Sequence, residues 1–207
     1  MPKWEYIFKH HGKVFENPAE GIDKFLKLMK KEKVKRVLDL GCGTGRHAVL
    51  FAKKGFEAYG MDNSEEALRQ TREWLRKEGL NAELKKSSCF AKFPHKDSYF
   101  DAVVSTQVIN HNSVDRIRYC ISEIERVLRP GGIVFITLTK VKSNKYREKI
   151  KKVAPRTYIP LTGREKGVLH YIYNKELLRK DFSRFKILGL VEDSQQHLCL
   201  TGKKKAD

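Results

Sequence analysis

The residues with the plainest chemical purpose lie between positions 37 and 62. Val37-Leu38-Asp39-Leu40-Gly41-Cys42-Gly43-Thr44-Gly45 joins a short apolar run to three glycines separated by single residues. Glycines between a buried strand and a helix let the backbone turn sharply and approach a ligand without a β-carbon in the way. Asp62 closes the next apolar run, where a carboxylate can accept both hydroxyls of a ribose. A dinucleotide site usually reads G-x-G-x-x-G and brings a pyrophosphate to the helix N-terminus. Here the spacing is G-x-G-x-G, and Asp39 stands two residues ahead of it. A carboxylate at that place repels a pyrophosphate and suits a ligand carrying an ammonium and a sulfonium. The electrostatics favour adenosylmethionine over a nicotinamide dinucleotide.

These residues need a scaffold, and the hydrophobic periods supply one. Helices are expected over Ala19–Lys31, Arg46–Lys54, Ser64–Glu78 (capped by Ser64), Ser113–Leu128 and Lys175–Phe182. Strands are expected over Val34–Leu40, Phe56–Met61, Leu80–Lys86, Asp101–Ser105 and Ile133–Leu138. Their continuous apolar character suits a buried parallel sheet. Strands that alternate with helices imply right-handed crossovers and a doubly wound α/β fold. The tail breaks the rhythm: 140–173 reads as a long irregular segment, and strands at Phe185–Val191 and His197–Thr201 have no helix between them. A seven-stranded, mostly parallel sheet ending in an antiparallel hairpin is expected. One domain is the economical reading: an N-terminal lid and helix (1–33), a cofactor-binding core (34–138), an acceptor-side insertion (139–173) and a C-terminal helix and hairpin (174–207).

Composition narrows the class. The 207 residues are 40% hydrophobic and 33% charged, enough for a buried core. No apolar run spans a bilayer, and Trp4, Glu5 and Tyr6 interrupt the stretch that a secretory signal would need. A soluble, cytoplasmic protein without membrane association is expected. Cys42, Cys89, Cys120 and Cys199 are far apart, with no C-x-x-C pair and no His/Cys cluster at metal-ligand spacing. Reduced, buried thiols and no metal site are expected. The net charge of +18 concentrates in 27–36, 140–156, 175–186 and Lys203-Lys204-Lys205. It favours anionic partners, nucleic acid among them, but also suits helices solvated by Lys and Glu.

Taken together, Asp39 to Gly45 resembles the first motif of class I S-adenosylmethionine-dependent methyltransferases. Asp62 resembles their ribose-binding acid, Phe100-Asp101-Ala102-Val103-Val104 their fourth-strand motif, and Leu128-Arg129-Pro130-Gly131-Gly132 the turn into their fifth strand. The resemblance covers roughly residues 34–138. It implies a Rossmann-like fold with S-adenosylmethionine as cofactor. Asp39 and the Gly41 backbone would then hold the methionine amino group, with Cys42, Gly43 and Gly45 in close approach. Asp62 would bind the ribose, Asn63 the adenine edge, and Gln107 the methionine end. Many relatives place an Asp where this chain has Cys89, so adenine recognition falls to the backbone of Cys89 and Phe90.

The acceptor is less constrained. Methyl transfer from a sulfonium needs positioning above all, and a base only where the acceptor is protonated. Asn110 and His111, just past the fourth strand, and His170 are the candidate catalytic or positioning residues. Trp4 and Tyr6, in an N-terminal lid that also offers Phe8, His10 and His11, are candidate substrate contacts, with Tyr171 and Tyr173 in the pocket. Ser105-Thr106-Gln107-Val108 stands where enzymes that methylate exocyclic amines often carry N-P-P-Y. A small-molecule acceptor is therefore favoured. An RNA (tRNA) methyltransferase using the basic surface, and a non-catalytic subunit that only binds the cofactor, are the alternatives. A nicotinamide oxidoreductase ranks below both.

Overall fold

A computed structural model describes residues 3–12, 16–140 and 149–206. Helix α1 (Lys3–His11) precedes α2 (Ile22–Lys31), and an alternating core follows: β1 (Arg36–Leu40), α3 (Arg46–Lys53), β2 (Glu57–Asp62), α4 (Glu65–Lys77), β3 (Glu83–Lys86), β4 (Phe100–Thr106), α5 (Val114–Val127) and β5 (Leu128–Leu138). Next come β6 (Ile150–Ala154), β7 (Thr157–Pro160) and β8 (His170–Tyr171), then α6 (Lys175–Asp181), β9 (Phe185–Glu192) and β10 (Leu198–Lys204). The main sheet runs β3-β2-β1-β4-β5-β10-β9. Strands β1 to β5 are parallel, and β10 lies antiparallel to both β5 and β9. This is the seven-stranded Rossmann-like methyltransferase fold with an antiparallel C-terminal pair.

Both faces of the sheet are buried, which is why its strands read as unbroken apolar runs. Leu38, Leu40, Val103, Val134 and Ile136 point to the side packed by α5 and α6, whereas Val37, Ala102, Val104, Ile133 and Phe135 meet α2 and α3. The chain winds outward from β1 to β3 and then returns to β4 on the other side of β1. The strand order reverses there, so a crevice opens beyond the carboxyl ends of β1 and β4, the usual ligand position in such sheets.

The boundaries differ from expectation in instructive places. β3 begins at Glu83 rather than Leu80, because Leu80 N–H donates to Leu75 O (2.9 Å) beyond Gly79 at φ 64° and closes the end of α4. β5 begins at Leu128, since Phe100 pairs with Leu128 before a bulge carries the register to Ala102 and Ile133. The expectation that 140–173 is irregular is corrected: β6, β7 and β8 form a separate three-stranded antiparallel sheet. Residues 141–148 of the basic segment lie outside the described residues. Ser64 caps α4 as expected, its Oγ accepting from Ala67 N–H at 3.1 Å. Among the described residues no helix is long and apolar enough to cross a membrane.

Candidate active site

The glycine loop is pinned to the end of β2. Gly41 and Cys42 N–H both donate to Met61 O, at 2.7 and 3.1 Å. Asp62 receives Gly43 N–H on Oδ2 and Ser64 N–H on Oδ1, both at 2.9 Å. Gly41 takes φ 72°, and a β-carbon there would sit 2.5 Å from Val108. At Gly45, φ is 93° and a β-carbon would meet Thr71 at 2.6 Å. Only glycine satisfies both the backbone and the space.

Above this loop lies a cavity of about 550 Å³, within the range of small-molecule and cofactor sites. Gly41, Cys42, Gly43, Asp62, Asn63, Cys89, Phe90 and Gln107 line it. Asp39 and Gly45 do not: Asp39 lies beneath the loop, and Gly45, at the loop's end, packs against Thr71. Asp39 is 1% exposed, its Oδ2 accepts from Ala48 N–H at 3.1 Å, and its Oδ1 is 3.9 Å from His47 Nδ1. Burial pushes its carboxyl up to about 7, against the opposing pull of Arg46 and the Ala48 N–H. Burial likewise raises the Asp62 carboxyl. The Phe90 N–H that was a candidate adenine donor is already engaged by Ser88 Oγ at 3.1 Å.

Helix α1 roofs the cavity. Trp4 and Phe8, one helical turn apart, line it, and Trp4 stacks on His111 with ring centroids 5.3 Å apart. Glu5 fastens the helix to the start of α4, accepting from Ser64 Oγ at 2.5 Å. Lys3 Nζ reaches Lys166 O at 2.9 Å on the insertion. Tyr6 points the other way, is 53% exposed, and stacks on His10.

A second cavity of about 300 Å³ lies between the main sheet and the small sheet. Gln107 and His111 line both cavities and form the partition between them. Gln107 sits at φ 59°, a conformation that costs a non-glycine residue about 1–3 kcal/mol and tends to occur at functional sites. Its Nε2 lies 3.2 Å from His197 Nδ1. The far wall carries Glu165, His170 and Ile172. His170 Nδ1 is 3.0 Å from Val168 O, and Nε2 is 2.9 Å from Glu165 Oε2. Burial and the neighbouring His170 hold His111 down to about 3, so it is neutral. Burial, the largest influence, opposes ionisation of Glu165, but the His170 hydrogen bond and the neighbouring His111, His170 and Arg164 together keep the carboxyl below its usual range.

Three predicted contacts belong to the core rather than to either cavity. Around β8 alternate side chains face opposite ways: His170 and Ile172 line the second cavity, whereas Tyr171 and Tyr173 pack into the main hydrophobic core. Tyr173 OH donates to Asp181 Oδ2 at 2.8 Å. Asn110 is fully buried; its Nδ2 donates to Thr139 Oγ1 at 3.3 Å and its backbone O accepts from Tyr171 N–H at 2.8 Å. It ties the loop after β4 to β5 and β8.

Phe8, one of the N-terminal aromatics expected to form a lid, lines the larger cavity beside Trp4. Arg46 and Glu165 carry no such expectation from the sequence. Arg46, directly after the last glycine, lines the cofactor-side cavity and donates to Thr106 Oγ1 at 3.0 Å. Nothing local marks Glu165, which gains its place only when the small sheet forms.

The sheet order, glycine loop and crevice define a Rossmann-like methyltransferase fold. Residues 37–132 match the family model described as a methyltransferase domain. It is similar to an uncharacterized methyltransferase of Schizosaccharomyces pombe, 35% identical over 138 residues, covering 62% of this chain and 47% of that protein. It is also similar to a ubiquinone biosynthesis O-methyltransferase of an Azoarcus species, 32% identical over 105 residues, covering 50% and 43%. The chain thus spans about half the length of the curated relatives it matches. In fold it resembles a Burkholderia thailandensis 1,6-didemethyltoxoflavin-N1-methyltransferase, solved with that compound and S-adenosylhomocysteine bound. Here the TM-score is 0.75 at 15% identity, over 99% of this chain and 87% of the other.

Proposed function

We propose that this chain binds S-adenosylmethionine in the larger cavity and transfers its methyl group to a small molecule held in the second. One observation carries the reading: Gln107 and His111 line both cavities, so a group at the methionine end of the first faces the second across a single layer of side chains. The relatives named for O- and N-methyl transfer act on small molecules, which supports the choice of acceptor class.

The residues present fit such a cofactor. Two backbone N–H groups occupy part of the Asp62 carboxylate, and a carboxylate offers about four lone-pair sites, so acceptor capacity remains for a ribose diol. Arg46 stands at the end of the cavity nearest Thr106 and Gln107, where a guanidinium complements a carboxylate. Asp39, beneath the loop, adds negative potential for an ammonium and holds the start of α3 through Ala48. Met61, Cys89 and Phe90 provide apolar surface for a purine. Bound there, the cofactor supplies a methyl group already activated by its sulfonium.

The chain's remaining task is to align and to exclude water. Trp4 and Phe8 close the roof, while Gln107 and His111 orient the acceptor. Residues 1–207 act on this reading as one methyltransferase domain, with 139–173 walling the acceptor side. Incubating the protein with adenosylmethionine and fractionated cell extract tests it, by following adenosylhomocysteine release. Turnover is expected with the small-molecule fraction. Turnover confined to the tRNA fraction would replace this acceptor class with RNA.

A further inference from the structure

Three side chains from separate parts of the chain converge where His111 of the partition meets the far wall of the second cavity. His111 follows β4, Glu165 sits in the turn after β7, and His170 opens β8. One potential ligand atom from each lies within 4.8 Å of the other two. We propose that His111, Glu165 and His170 form a binding site for a divalent transition-metal ion of the zinc type, bordering the second cavity.

The orientation of His170 favours the ion. Its Nδ1 is 3.0 Å from the Val168 carbonyl oxygen, which can only accept, so the ring proton on Nδ1 points there. That turns Nε2 to Glu165 Oε2 at 2.9 Å, a contact that a shared proton or a metal ion held by both can bridge. A proton would satisfy the pair alone, but a third donor is also present. The His111 ring lies edge to face with that of His170, centroids 4.6 Å apart.

Two imidazoles and one carboxylate match the three-ligand set of catalytic zinc sites, which leave a fourth position open. The Val168 carbonyl supplies the outer hydrogen bond that orients metal-bound histidines. Turn geometry keeps the donors together: Val168 N–H donates to Glu165 O at 2.9 Å, and Gly167 N–H to Pro160 O at 2.8 Å. Donors on a tetrahedral zinc stand about 3.4 Å apart, so the most distant pair closes by no more than about 1.4 Å, within reach of a side-chain rotation. A metal here would bind an acceptor hydroxyl or thiol and stabilise its deprotonated form. That role rests on the methyl-transfer reading; occupancy of the three donors does not.

The test is titration of the chelator-treated full chain with Co²⁺, read by visible d–d absorption, followed by displacement with Zn²⁺. The wild type is expected to bind one equivalent with nitrogen–oxygen ligation. His170→Ala, His111→Ala and Glu165→Gln should each weaken binding by about 100-fold or more, beyond the usual loss when only an outer hydrogen bond is removed. His197→Ala, on another wall of the same cavity, should bind as the wild type does. Adenosylhomocysteine affinity, measured alongside, should be unchanged in His170→Ala, which separates loss of the metal site from loss of the fold or failure of the cofactor reading. Absence of saturable binding in the wild type, or equal binding by all three ligand variants, would overturn the proposal.

Discussion

The two cavities share a partition but are built by different means. The floor of the larger is made by backbone and short side chains from consecutive strand ends, with Gly41, Cys42 and Gly43 from one loop and Asp62 and Asn63 from the next, beneath the Trp4 and Phe8 roof. The smaller is assembled from long polar side chains that meet only after the small sheet packs on the main one: Gln107, His111, Lys140, Glu165, His170 and His197. Where backbone geometry makes a site, few substitutions are tolerated and the motif is short and contiguous. Where side chains make it, specificity can change without disturbing the scaffold.

The sharpest way to break this contrast is a pair of glycine substitutions. Gly43 and Gly163 both have positive φ, 52° and 79°, so a valine at either incurs backbone strain of about 1–3 kcal/mol. At Gly43 a β-carbon would also stand 3.4 Å from the Phe8 ring, between loop and roof, whereas Gly163 has nothing within 4 Å. Gly43→Val should lose adenosylhomocysteine binding by calorimetry while remaining folded by circular dichroism, and Gly163→Val should bind normally. Equal affinities would show that the loop is not a wall of the site.

A smaller effect separates the cavities chemically. Asp62→Ala removes the acceptors of Gly43 and Ser64 N–H together with the proposed ribose contact, and should weaken cofactor binding by about tenfold or more. His111→Ala should leave that affinity within about twofold and lower kcat/KM instead. The reverse pattern would exchange the roles of the cavities.

Asp39 gives a pH signature. Folding raises its carboxyl from 3.8 to about 7, so the folded state holds the proton more tightly than the unfolded chain. Its contribution to the unliganded protein's stability is therefore full at low pH and is lost as pH rises through about 7. A cationic ligand favours the ionised form, so affinity for adenosylmethionine should rise with pH over the same interval and level off above it. Asp39→Asn should flatten both profiles in calorimetry and thermal melts. A slope that persists in this variant would assign the titration elsewhere.

The smallest expected effect concerns the roof. Tyr6→Ala should change stability by no more than about 0.5 kcal/mol, as for other exposed positions, and leave cofactor affinity intact. Trp4→Ala removes the ring stacked on His111 and should raise the acceptor KM. If Tyr6→Ala proves the more damaging, α1 presents its other face to the ligand.

The same contrast explains what could be read from the sequence. The order of β1 to β5, the α4 cap at Ser64 and the hairpin of β9 and β10 all follow from local patterns: apolar runs buried on both faces, a capping hydroxyl, and adjacent strands with no helix between. The small sheet escaped because β6 is exposed and rich in lysine, and β8 is only two residues long, so neither shows the alternation of a half-buried strand. Tyr171 and Tyr173 drew attention as aromatics, yet the period of two that places His170 and Ile172 in the cavity sends both tyrosines into the core. The pairing of Glu165 with His170 and their meeting with His111 depend on tertiary docking, which no local spacing encodes.

The measurement that bears most directly on the account is calorimetric titration with adenosylmethionine and adenosylhomocysteine, with NAD as the control. Micromolar binding of the first two and none of NAD is the expected result. Binding of NAD in their place, or of none of the three by a folded protein, would contradict the assignment of the larger cavity.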